Sequence, residues 1–433
     1  MGMADAQSLL RNIKNRRRAS LSATESQRKV SYRVGFREGY RQGVQYGIQN
    51  YPKLFDGTSI VIATHNQLDM LRQCINSIAA YTNSSYEIIV VDNASTDGTA
   101  DYLQKAQGLM RSRIMDSHRG LSGALNAGMM MAKGTTIVLM RSETCVTDNW
   151  LDNMLVCLNS DDGIGMVSPV TEFERNDNRP DASPWRRTDR LTGYCLLFRR
   201  KLFEEAGYFD EGYEDSNFVD DNYSIRVRLL GKSLVIANDA CVHNIGGEGG
   251  GASADRSATV DDHDRFYFID KWNNPYEWIH RVRSHKHISH GETITSVSFY
   301  PERVAVQGFG ANIYWIENGQ RRQIEGVVSF PITRISQIDL RRWPVGAPIT
   351  AHEAERRWRG LGDPIGLDIG IARLPDGASY HVEGGTIRKI TSSAAMQAWS
   401  LHLKPSLAVS DKMLEERAEG LPIIAPPLLK QPL

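Results

Sequence analysis

The stretch TIVLMRSET, Thr136 to Thr144, decides how the first half of the chain is read. Ile137, Val138, Leu139 and Met140 form an unbroken apolar run. A strand apolar at every position is buried on both faces, as in a sheet covered by helices. The run stops at Arg141-Ser142-Glu143, where polar side chains emerge together. Outward from it, the pattern repeats. Ser59–Ala63 and Glu87–Asp92 read as buried strands, and Arg113–Asp116 as a weaker one. Between them, Leu68, Leu71, Ile75 and Ile78 mark a helical stripe, Thr99–Ala106 a short helix, and Leu121–Gly134 a helix closed by glycine. A further helix follows the cap residue Asp148. The fold class is therefore α/β, with a mostly parallel sheet covered on both faces. Ligands of such sheets bind beyond the carboxyl ends of the strands. Thr64-His65-Asn66, Asp92-Asn93 and Arg141-Ser142-Glu143 are thus expected around one crevice.

The chain has 433 residues, enough for two or three domains, and its 51 Lys+Arg balance its 51 Asp+Glu. That balance argues against nucleic acid as a partner. No apolar run approaches the roughly 20 residues of a membrane span, and the start lacks an apolar signal core. Five scattered cysteines, Cys74, Cys145, Cys157, Cys195 and Cys241, show no metal-finger spacing and suit a reducing, cytoplasmic setting. Charge is uneven, however. Residues 1–50 carry ten Lys/Arg against Asp5, Glu25 and Glu38, a net +7. Residues 1–56 read as a basic helical arm for an acidic partner or anionic glycan, or as a solvated arm. Within it, Tyr32, Phe36, Tyr40, Val44 and Ile48 follow helical spacing.

The α/β domain is assigned to 57–257 and an aromatic-rich helical connector to 258–290. Beyond lies a duplication. Asn312–Ile324 (NIYWIENGQRRQI) aligns with Ala378–Ile390 (ASYHVEGGTIRKI), an offset of 66 residues (378 − 312). Each copy is followed by an apolar-proline ending, Gly346–Ile349 (GAPI) and Gly420–Ile423 (GLPI). Both read as hairpins in a small α+β repeat, at 291–350 and 351–433, the latter including a linker around Trp358–Gly370. Tyr314, Trp315 and Tyr380 are assigned to their cores. The repeats are candidate surfaces for acceptor, protein partner or self-association.

Five ordered segments carry a resemblance: SIVIATHN (Ser59–Asn66), VVDNASTDGT (Val90–Thr99), HRGLSGALNAGMMMAKG (His118–Gly134), LTGYCLLFRRKLFEEAGYFDE (Leu191–Glu211) and FVDDNYSIRVRLLGKSLVIANDACVH (Phe218–His243). Together they resemble family 2 glycosyltransferases of the GT-A fold, over about Thr58 to Gly250, some 45% of the chain. The C-terminal repeats lie outside it. The resemblance implies an inverting transferase that moves a sugar from a nucleotide-diphosphate donor to a glycan or glycoprotein acceptor, of bacterial type. Asp92 would accept from the base, uracil or a similar imide N–H, with Thr64 and Asn66 nearby. Asp97, before Gly98, is the better helix cap, and Arg119 is a candidate diphosphate contact.

The leaving diphosphate gains charge, which this class mostly neutralises with Mn²⁺ or Mg²⁺. The family's acidic metal motif falls on Arg141-Ser142-Glu143, so Glu143 takes the ligand position and His243 the second. Arg141 departs from the pattern. A guanidinium about 6 Å from a divalent ion would be repelled by roughly 5 kcal/mol at an effective dielectric near 20. It therefore either faces ribose or phosphate while Glu143 holds the metal, or partly replaces the metal, which would then be weak or dispensable. Counting back from Arg226 places the general base at Asp220, with Asp221 as the alternate or as a helix cap. Adjacent carboxylates would also raise one another's pKa. Gly246–Gly251 is a candidate lid. Thr171–Arg190 is expected as an irregular loop, with Trp185 able to stack on a sugar, and Asp210 and Glu211 on the acceptor side. Two other readings compete: a GT-A-like binding or scaffold protein acting through its repeats, and a nucleotidyltransferase. The second is disfavoured because no early Gly-rich, lysine-bearing phosphate loop is present.

Overall fold

The computed structural model describes residues 54–106, 110–171, 183–214, 218–246, 254–284, 293–360, 369–383, 385–415 and 417–430. The basic arm up to residue 53, the glycine tract after Gly246, most of the loop at 171–190 and most of the linker at 358–370 lie outside the described residues.

The first sheet is built from β1 (Phe55–Thr64), β2 (Tyr86–Asp92), β3 (Arg111–Ile114), β4 (Gly134–Arg141), β5 (Thr144–Val146), β6 (Ile164–Thr171), β7 (Trp185–Thr188), β8 (Cys195–Arg199) and β9 (Ser233–Asn244). Its order is β3-β2-β1-β4-β8-β6-β9-β5, with β7 also on β9. The half from β3 to β4 is parallel, as expected. The other half is mixed, because β8 runs antiparallel to both β4 and β6.

Helices α1 (Leu68–Tyr81), α2 (Thr99–Lys105), α3 (Gly120–Met131), α4 (Trp150–Asn159), α5 (Arg200–Ala206) and α6 (Phe218–Leu229) cover it. The two-residue period of the strands divides the core. Ile60, Ile62, Val90, Val138 and Met140 face one side, with Leu71, Cys74 and Ile78 of α1 and Trp150 and Met154 of α4. Val61, Val91, Ile137 and Leu139 face the other, with Ala124 and Ala127 of α3 and Phe203 of α5. On that side a Cβ at Gly128 would overlap Val61, so glycine lets α3 approach β1 closely. Asp148 is not the residue at the start of α4. Asn149, at φ 59°, occupies the N-cap instead, since asparagine tolerates the left-handed region.

Two helices, α7 (Ala254–Trp272) and α8 (Pro275–Ser284), lead to the duplicated part. The first module contains β10 (Val304–Gln307), β11 (Ile313–Glu317), β12 (Gln320–Glu325), β13 (Ile332–Arg334), α9 (Gln337–Arg342) and β14 (Ile349–Thr350). Helix α10 (Ala351–Trp358) follows it. The second has β15 (Ile369–Arg373), β16 (Ser379–Glu383), β17 (Thr386–Lys389), α11 (Ser393–Ala398), β18 (Ser406–Ala408), α12 (Asp411–Glu415) and β19 (Ala418–Glu419). The orders β13-β10-β11-β12-β14 and β18-β15-β16-β17-β19 are the same sheet twice. Tyr314 faces Gln323 and Tyr380 faces Lys389, preserving the 66-residue offset (380 − 314) through the hairpin register. The apolar-proline ending returns alongside the hairpin in each copy, next to β14 or β19. Ile324 pairs with Ile349, and Ile390 with Ile423.

An internal charge repeats as well. Arg322 pairs with Glu317 at 3.2 Å and donates to the carbonyl of Ala347, while Arg388 pairs with Glu383 at 3.1 Å and donates to that of Leu421. Each module thus ties its hairpin to its returning segment by one arginine. Trp315 is fully buried and Tyr314 and Tyr380 half-buried, as core residues should be. Trp272, Tyr300, Trp399 and Ile423 share one apolar cluster with Val61 and Leu139, so modules and sheet have a continuous core. No helix among the described residues is long and apolar enough to cross a membrane.

Candidate functional site

The parallel register brings the expected crevice residues together. Thr64 lies beside Asp92, and Ala63 beside Arg141. Asp92 is fully buried. Its Oδ1 accepts from the Ser95 N–H at 3.1 Å, and its Oδ2 has no partner. Thr64 Oγ1 and, from α3, Ser122 Oγ are also buried without a partner. An unmade hydrogen bond of this kind costs about 1–3 kcal/mol. Two of these atoms, on Thr64 and Asp92, lie at the carboxyl ends of neighbouring parallel strands, where ligands of such sheets bind. Asp97, by contrast, is fully engaged, accepting from the backbone of Leu68 at 2.9 Å and of Thr99 at 3.1 Å. It anchors the starts of α1 and α2.

The second half of the site is formed by α6. Asp220, in its first turn, is buried and accepts from the Gly193 N–H at 2.8 Å. Arg141 Nη2 approaches the same oxygen at 3.7 Å, while Asp220 Oδ1 and Arg141 Nε have no partner. Burial pushes the Asp220 pKa up to about 6, against the pull of Arg141 and the Gly193 N–H, with Asp221 adding to the rise. That is a carboxylate suited to taking a proton near neutrality. Asp221 turns away, to Arg190 at 3.6 Å.

The sequence profile of glycosyl transferase family 2 matches residues 59–233, spanning Thr64, Asp92, Arg141 and Asp220. This stretch is a family 2 glycosyl transferase domain. An uncharacterized glycosyltransferase of Nostoc is 27% identical over 28% of this chain and 39% of its own. A PGL/p-HBAD biosynthesis glycosyltransferase of Mycobacterium bovis is 32% identical over 40% of this chain and 65% of its own. The chain thus spans between about two fifths and two thirds of these relatives. Among solved structures, a mannosyltransferase of Pyrobaculum calidifontis in complex with GDP-Man and Mn²⁺ is 20% identical, with a TM-score of 0.41 over 54% of this chain and 71% of that one.

Within the transferase domain, Glu143 lies in the turn just before β5, and His243 on the neighbouring β9. Cys145 pairs with His243, and the Ile245 N–H donates to the Glu143 carbonyl at 2.9 Å. Glu143 is therefore diagonal to His243, a spacing that long side chains bridge. No group of three His, Cys, Asp or Glu able to hold a metal occurs among the described residues. One carboxylate and one imidazole suit a divalent ion such as Mn²⁺ only if phosphate oxygens complete the shell.

The remaining candidate residues are held as follows. Asn66, at φ 53°, uses its side chain to tie the Thr96 N–H at 2.7 Å. Arg119 stands at the start of α3, its backbone N–H bonded to Asn93 Oδ1 at 2.9 Å. Trp185 is not in a loop. It begins β7, opposite Ala237 in mid-β9, and packs on the core. Asp210 and Glu211 do not face an acceptor, because protein donors occupy their carboxylates. Asp210 takes Lys271 and the Leu428 N–H, and Glu211 takes Asn126 and the Lys430 N–H. Both hold the C-terminal segment. Arg226, used only to count the register, donates to the carbonyls of Ala206 and Tyr208.

Sequence reasoning missed Gly193. A Cβ there would overlap the Asp220 carboxylate outright. The Thr192-Gly193-Tyr194 turn was visible only as part of a family-like segment. Replacing Gly193 by alanine is expected to displace Asp220 and lower donor turnover about 100-fold, since a misplacement near 1 Å has that effect. Nucleoside diphosphate affinity, read by calorimetry, should change less than about threefold, as Thr64 and Asp92 are untouched.

Proposed function

We propose that this protein transfers a sugar from a nucleoside-diphosphate sugar to an acceptor hydroxyl with inversion. The observation that carries the reading is Asp220: a buried carboxylate with one unpartnered oxygen, within the transferase domain and beside the crevice. Asp220 Oδ1 takes the acceptor proton as the acceptor oxygen bonds to the anomeric carbon, and the nucleoside diphosphate leaves from the opposite face with the bonding electrons. The orphan Oδ2 of Asp92 supports a base with an imide N–H, such as uracil. In this reading Thr64, beside Asp92, lines the same side, and Arg141 is the cation that meets the diphosphate.

Glu143 and His243 would hold a divalent ion, Mn²⁺ rather than Mg²⁺ given the imidazole, which would neutralise charge on the diphosphate. Glu143→Gln is then expected to weaken Mn²⁺-dependent binding of UDP about tenfold or more and leave metal-free binding unchanged. Calorimetry with Mn²⁺ or with chelator checks this. If Mn²⁺ never strengthens UDP binding to the wild type, the metal assignment is wrong.

The acceptor is proposed to be a glycan or glycoprotein, met partly by the C-terminal modules, which are also the candidate surface for a protein partner. A reducing, cytoplasmic setting is proposed on the buried thiols of Cys74, Cys157 and Cys195. Incubation with a panel of UDP- and GDP-sugars, scored for release of nucleoside diphosphate, tests the central reading. One specific observation favours a second reading: Arg141, not a carboxylate, stands beside the base. A catalytically impaired binding or scaffold protein, acting through its C-terminal repeats, would release nothing from the panel.

A further inference from the structure

Arg141 and Asp220 reach each other from different elements, the end of β4 and the first turn of α6. The contact is loose. At 3.7 Å it lies outside hydrogen-bond range, and the carboxylate oxygen involved already accepts from Gly193. The guanidinium lies over the Tyr194 ring, 5.6 Å from its centroid, and its Nε has no partner. The backbone of Arg141 is held by the strand and by the Tyr194 carbonyl at 3.2 Å, so only side-chain torsions are free. An arginine with an unused donor, an aromatic platform and, among the described residues, a single weak carboxylate partner is poised to change partners. A diphosphate offers more charge and a bidentate edge.

We propose that Arg141 is a latch on Asp220: its guanidinium holds the carboxylate until the diphosphate of the donor draws it away and frees the base for the acceptor. The latch rests on the nucleotide-sugar reading above. It makes Arg141 a positioning residue and orders the reaction, donor before acceptor. The charged groups facing Asp220 are Arg141 from β4 and Asp221 on its own helix, with the Gly193 N–H opposite. Loss of the Arg141 cation therefore leaves the Asp220 carboxylate more basic.

The test is the proton balance of nucleotide binding. UDP and GDP are titrated calorimetrically near pH 6.5, in two buffers of different ionisation enthalpy, into wild type, D220N, R141Q and R141K. Wild type is expected to take up protons relative to D220N. Titration of the nucleotide's own phosphate is common to both and cancels. R141Q, with no latch to open, should show no such excess and bind about tenfold more weakly, whereas R141K should restore part of the excess. Equal proton balance in wild type and D220N, with nucleotide bound, overturns the latch alone, as does an unchanged excess in R141Q. A wild type that binds neither UDP nor GDP overturns the nucleotide reading and the latch together.

Discussion

Asp220→Asn is expected to lower sugar transfer about 10²–10⁴-fold, the range a positioned general base contributes. Asparagine keeps the shape and can still accept from the Gly193 N–H at 2.8 Å, so loss of basicity is isolated from loss of structure. Nucleoside diphosphate binding should persist or strengthen, since Arg141 no longer has a carboxylate competing for it. The wild-type profile adds an independent check. Burial pushes the Asp220 pKa up to about 6, with Arg141 and the Gly193 N–H opposing and Asp221 reinforcing. A base acts in its ionised form, so kcat/KM should rise about tenfold per pH unit below that value and level off above it. Asp221→Asn, whose side chain faces Arg190 at 3.6 Å, should retain activity within about tenfold. A D220N enzyme with wild-type turnover would remove Asp220 from the base role.

The largest stability effect is expected at Lys271. Its ammonium is fully buried and bonded to Asp210. Burial presses its pKa down and Asp210 opposes this. Removing one member of a buried ion pair strands the other, at about 3–5 kcal/mol. Lys271→Ala should therefore lower the unfolding free energy by about that amount, read by urea denaturation. Asp210 also accepts from the Leu428 N–H at 3.1 Å, so the C-terminal segment should become cleavable under limited proteolysis. A paired Asp210→Leu, Lys271→Met variant should recover much of the loss, because apolar replacement of such a pair is often near neutral. If Lys271→Ala unfolds at the wild-type urea midpoint, the pair is not a tie.

Much of the architecture was legible because it rests on local periodicity. The apolar runs at Ile60–Ala63, Ile89–Val91 and Ile137–Met140 are buried strands, and their alternation with helices required a parallel arrangement. The duplication was legible for a similar reason. Hairpin register follows from strand and turn lengths, so the offset of 66 residues in sequence reappeared in the pairing (389 − 323). Antiparallel β8 was less accessible, as an apolar strand has the same appearance in either direction. Trp185 was read as a loop residue because the polar, proline-bearing stretch before it hid a four-residue edge strand.

Side-chain partners at long range were not legible. Asp210 and Glu211 looked like acceptor-side carboxylates, yet Lys271, Leu428 and Lys430 reach them across 61, 218 and 219 residues. Nothing in a local pattern records such a meeting. The sequence by itself determined the strand ends, and hence that Thr64, Asp92 and Arg141 share a crevice, because strand register is a matter of counting. Only the tertiary structure decided what Arg141 does there. The carboxylate that its guanidinium faces at 3.7 Å, Asp220, arrives on a helix 79 residues later (220 − 141), held in place by the backbone of Gly193.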